Sequence, residues 1–106
     1  MKNMRHSADI YEPLTALDDR GQEQADIPYR PGVLCSIEPL NSRELEAARQ
    51  IYATATHKVL LYGDPNKPLT HKHYLLHRGR KLKIGSIRDL NQNGERYELL
   101  CEEKVA

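Results

Sequence analysis

Ile37-Glu-Pro-Leu-Asn-Ser-Arg-Glu-Leu-Glu-Ala-Ala-Arg-Gln-Ile51, followed at once by Ala53-Thr-Ala-Thr-His-Lys-Val-Leu-Leu61, decides how this chain is built. A strand-like run passes into one short helix and back into a strand. Asn41 is a good helix cap and Glu44, three residues on, can complete a capping box, which predicts a helix from Ser42 to Ala53. Leu45, Ala48 and Tyr52 share the face that would lie on a sheet, while Arg43, Glu46, Arg49 and Gln50 look outward. No Rossmann glycines and no nucleophile elbow stand nearby, so the stretch reads as scaffold for binding and assembly.

Working outward, Gly32 to Leu40 alternates Val33, Cys35 and Ile37 against Leu34, Ser36 and Glu38, the period of a half-buried strand that Pro39 ends. Thr54 to Tyr62 is rich in β-branched residues and returns the chain to a strand; Gly63 to Leu69 is turn material. His71 to Arg78 and Arg80 to Arg88 read as two strands joined tightly at Gly79, with Gly85 marking a bulge between Ile84 and Ile87. Glu95 to Lys104 closes the chain, with Tyr97, Leu99 and Cys101 inward and Arg96, Glu98 and Glu102 outward. Before all of these, Ser7 to Leu14 reads as a strand ending near Pro13.

Thr15 to Pro31 is polar, acidic and broken by Gly21, Pro28 and Pro31. It suits a long mobile loop, or alternatively a hairpin turning at Asp19-Arg-Gly21 with a second strand from Ala25 to Tyr29. The expected fold is therefore mainly β: a single domain over residues 1–106, forming a small antiparallel β-barrel of about six strands with one short helix and a loop after the first strand. Closing the sheet removes the edges that would otherwise aggregate.

Composition narrows the function. A chain of 106 residues, 39% hydrophobic and without Phe or Trp, builds one thin core from Leu, Ile, Val and Tyr. Sixteen Lys and Arg against 15 Asp and Glu leave a net charge of +1, so there is no general electrostatic drive toward nucleic acid or membrane. No apolar run approaches the roughly 20 residues that cross a bilayer, and Met1-Lys-Asn-Met-Arg-His lacks a signal-peptide core, so the chain is expected to be made in the cytosol. Cys35 and Cys101 lie in separate apolar strands rather than in a Cys-x-x-Cys pair, and buried reduced thiols are expected.

His71, His73 and His77 on one strand face, with His57 on a neighbour, invite a zinc reading. On an extended strand the first and third would stand about 20 Å apart, so solvated or interface histidines fit better and no metal or other cofactor is expected. The basic run His77-Arg-Gly-Arg-Lys-Leu-Lys83 reads first as a charged hairpin that keeps the edge solvated. Its second reading is a DNA-facing edge made by Arg78, Arg80 and Lys81. No carboxylate pair, Ser-His-Asp arrangement or phosphate-cradling loop stands out, which argues against an enzyme.

Four elements in this order resemble the head-tail joining proteins of long-tailed bacteriophages, the head-closure or stopper components of the connector. They are Ile37 to Ile51 with its Pro-Leu-x-x-Arg-Glu element, Ala55-Thr-His-Lys-Val-Leu-Leu61, Arg78-Gly-Arg-Lys-Leu-Lys-Ile-Gly-Ser-Ile87 and Glu98-Leu-Leu-Cys-Glu-Glu103. The resemblance implies a barrel subunit forming a ring beneath the portal and adaptor, matching their twelve-fold symmetry or a lower one. Such a ring retains packaged double-stranded DNA and receives a tail terminator or completion protein. It further implies contacts to neighbouring subunits through Arg43, Glu44, Glu46, Arg49 and Gln50, and a channel or docking loop carrying Asp18, Asp19, Arg20, Gly21, Glu23 and Asp26. The acidity of that loop departs from a DNA-gripping finger and suits a gate that repels phosphates or an arm for a basic partner. From a different class, an OB- or SH3-like nucleic-acid-binding module remains open: six tyrosines favour it, and the absence of Phe and Trp for base stacking counts against it.

Overall fold

A computed structural model describes residues 4–13, 26–90, 92 and 94–104. Six strands, β1 (His6–Glu12), β2 (Ile27–Pro39), β3 (His57–Tyr62), β4 (Tyr74–His77), β5 (Arg80–Leu90) and β6 (Arg96–Lys104), form a closed barrel in the order β1-β2-β3-β6-β5-β4. Every pairing is antiparallel, and β1 closes the barrel by pairing with β4 through Ile10 opposite Leu75. The one helix, α1 (Ser42–Ile51), lies between β2 and β3.

Alternation along each strand sends one set of side chains inward. Ile10, Cys35, Val59, Leu61, Leu75, Ile84, Leu99 and Cys101 are fully buried there, joined by Ala8, Val33 and Leu82. Both cysteines are free thiols in this interior. Burial pushes Cys35 up to about 11 and Cys101 up to about 12.

A second, smaller core lies outside the barrel wall, where Ala48 and Ala55 cover Leu100 with help from Leu40 and Tyr52. Leu100 points away from the interior between Leu99 and Cys101, and α1 is what keeps it dry. The helix begins as its sequence dictates: Asn41 Oδ1 accepts the Glu44 N–H at 2.9 Å. It ends at Ile51, two residues short of the expected Ala53, because Tyr52, whose N–H still bonds back to Ala48 O, turns extended at φ −138° and ψ 106°. Tyr52 O–H and Thr54 O–H then both donate to Glu102 Oε1, each at 3.0 Å, pinning the helix exit to β6.

The bulge expected at Gly85 is present as a register shift between Ile84 and Ser86 against β6. The loop expected over 15–31 is cut back, since Ile27 to Pro31 belong to β2; of the alternative hairpin, Ile27 to Tyr29 are strand, and its turn at 19–21 lies outside the described residues. Pro28 and Pro31 are tolerated because, among the described residues, this half of β2 pairs with β1 alone and is doubly bulged, so a missing N–H breaks no second ladder there. At the bulge Gly32 takes a positive φ of 63° and its N–H donates to Asp9 Oδ1 at 2.8 Å. Two other strands start later than expected. Thr56 and the residues before it link α1 to β3, and Thr70 to Lys72 form a turn before β4 rather than its first residues.

Candidate functional site

The outward face of α1 carries the residues expected to meet neighbouring subunits. Arg43, Glu46 and Gln50 are exposed there. Glu44 instead forms an ion pair with Lys58 on β3, and Arg49 Nε donates to Ala55 O at 3.4 Å. Two of the five are thus engaged within the chain, which stiffens the helix on its seat and leaves three polar side chains facing solvent. Ile51, at the end of α1, is 70% exposed beside a shallow hollow lined by Leu40, Ala47, Ala48 and Leu100.

Of the expected channel-loop residues, Asp18, Asp19, Arg20, Gly21 and Glu23 lie outside the described residues. Asp26 is placed just before β2, where its carboxylate accepts a hydrogen bond from the Tyr74 hydroxyl. Burial and that bond push the Tyr74 phenol up to about 12.

The basic hairpin divides its three residues between two places. Arg78 occupies the β4–β5 turn, and Arg80 opens β5 with its Nε 3.4 Å from Glu103 Oε1. Both line a hollow of about 290 Å³ at the barrel mouth, together with His6, Ile37, Pro39, His57 and His77. Lys81 points elsewhere, its Nζ lying 4.2 Å above the centre of the Tyr74 ring on the outer wall. There Lys72, Lys83 and Lys104 join it around a second basic hollow.

The histidines separate in a way the strand pattern did not show. His73 precedes β4, is buried, and stacks on Tyr29 with ring centres 4.1 Å apart, which corrects the expectation of a solvated or interface side chain. Its Nδ1 accepts the Thr70 N–H at 3.0 Å, and burial holds the imidazole below its usual range. His77 sits at the far end of β4, and His71 is exposed in the preceding turn. Among the described residues no group of three or more His, Cys, Asp or Glu is arranged to hold a metal ion. His57 and His77, on strands that are not hydrogen-bonded neighbours, nevertheless meet at one mouth because β3 starts and β4 ends there.

In sequence, no family model and no curated protein matches the chain. In structure, it is similar to a chain of the virion of the native gene transfer agent (GTA) particle, with a TM-score of 0.63 over 100% of both chains at 12% identity. At that identity the likeness is one of fold alone.

Proposed function

We propose that this chain is a structural virion protein of a phage-like particle, acting in the neck as a head-closure or stopper subunit. The observation that carries this reading is the architecture shared end to end with a chain of the gene transfer agent virion. The order of sequence elements typical of head-tail joining proteins supports it. In this reading copies of the chain form a ring below the portal or adaptor, close the DNA-filled head and offer a surface to the tail terminator or completion protein. Arg43, Glu46 and Gln50 supply a solvated contact face of mixed charge, and the acidic stretch of sequence with Asp18, Asp19 and Glu23 suits repulsion of DNA phosphates or attraction of a basic partner. The role is non-enzymatic, assembly takes place in the host cytoplasm, and the finished location is the virion.

Sizing the purified chain alone and after mixing with adaptor or portal rings tests this. The expected result is a monomer alone and ring-bound density by electron microscopy after mixing. Absence of the chain from purified particles, or tight binding of free single-stranded DNA in a gel shift, overturns the reading.

A further inference from the structure

We propose that the mouth of the barrel lined by His6, His57, His77, Arg78 and Arg80 is an oxyanion site that takes a phosphate group. The first ground is composition. Five side chains able to present N–H donors converge on one hollow from β1, β3, β4 and β5, and no acidic residue lines it. Glu103, at the same end of β6, pairs with Arg80 Nε at 3.4 Å. Several donors disposed around a concave site suit a tetrahedral oxyanion better than a planar carboxylate.

The second ground is the way the rings are held. His6 Nδ1 accepts the Ile37 N–H at 3.4 Å, so in its neutral form the ring carries its proton on Nε2 as a donor. His77 Nδ1 faces Ser7 O at 2.9 Å and must donate to it, so Nε2 is the ring nitrogen left for a ligand. The His6 and His77 rings meet edge to face with centres 5.1 Å apart. His57 Nδ1 is fixed by the Thr56 hydroxyl at 2.8 Å. All three rings are therefore oriented through Nδ1 by groups of this chain.

The third ground is strain. Arg78 and Gly79 form a two-residue hairpin turn with φ of 52° and 77°, a geometry in which Asn-Gly is the favoured pair. An arginine in the left-handed region is costly for a position whose only task is to turn the chain. Keeping a guanidinium there, beside Arg80 and three histidines, is explained by a ligand that uses it.

The test is a titration of the full chain with sodium phosphate against sodium chloride at matched ionic strength, followed through histidine ring resonances. Saturable shifts are expected at His6, His57 and His77, while His71 and His73, which line the lysine-rich hollow at the other end of β4, report separately on any binding there. Arg78→Asn is expected to weaken phosphate binding about tenfold by removing a charged donor while the melting temperature stays equal or rises. Arg80→Gln provides a second variant with the same loss of affinity. A short DNA duplex that shifts the same three rings identifies backbone phosphate as the source, and saturation by inorganic phosphate without DNA competition identifies the free ion. Shifts no larger than those in chloride, affinity unchanged in both variants, or binding of an acidic peptide but not phosphate, each overturns the proposal. Ring assembly on an adaptor is read separately and does not depend on this pocket.

Discussion

The ring of Tyr52 rests on the bare backbone of Gly85, so closely that a Cβ at position 85 would come within 2.1 Å of Cε2. The bulge in β5 and the exit of α1 are thereby one joint: the strand gives up a side chain so that the helix can dock. Gly85→Ala is expected to destabilise the fold by about 1–3 kcal/mol through overpacking. Urea unfolding should show this, and combining it with Tyr52→Ala should cost less than the sum of the two single changes.

The start of the helix rests on one side chain. Replacing Asn41 with Ala removes the acceptor for the Glu44 N–H and is expected to cost about 0.5–2 kcal/mol. Asn41→Asp or Asn41→Ser, each of which keeps an acceptor for the Glu44 N–H, should recover most of the loss in the same unfolding measurement.

Burial keeps both thiols protonated, with Cys35 raised to about 11 and Cys101 to about 12. At pH 8 neither is expected to react with a thiol reagent such as dithionitrobenzoate on the timescale of exposed cysteine. Both should react together once guanidinium unfolds the barrel. Prompt labelling of either under native conditions would mean that the barrel opens locally.

His73 is neutral by preference in the folded chain, so the unfolded chain binds more protons between the depressed folded value and the ordinary histidine value near 6.5. Stability is then expected to rise with pH across that window and to fall as the solution is acidified below about 6.5. His73→Asn, which keeps an acceptor for the Thr70 N–H, should flatten this part of the profile in urea titrations. A slope unchanged by the substitution would assign it to other groups.

Much of this architecture was legible in the sequence because its signals were local. Asn41 and Glu44 start a helix wherever they occur in this context, Gly85 interrupts a clean alternation, and Cys35 and Cys101 fall on inward positions of strands. Ile27 to Pro31 left loop and strand both open because Pro28, Pro31 and Gly32 are breakers in a central strand but are accommodated in a bulged half-strand with one neighbour among the described residues, a distinction set by pairing. His71 and His73 read as strand, yet a turn fixed by Thr70 captures them before the ladder begins. The grouping of His6, His57 and His77 with Arg78 and Arg80 was hidden for a deeper reason. Those positions span most of the chain, and only the order in which six strands close, with alternate ends at one mouth, brings them together. The separation of Lys81 from Arg80 follows from the same alternation, which turns adjacent residues of a strand to opposite sides.

The two prolines of β2 have one further consequence. Where that strand has no second neighbour among the described residues, an open row of donors would invite another polypeptide to zip on, the first step toward fibrils when many copies are crowded together. Pro28 and Pro31 remove two donors within four residues and stiffen the ribbon at the same point. Backbone-to-backbone joining of one copy to another at this stretch is thereby disfavoured, and any meeting there would have to run through side chains.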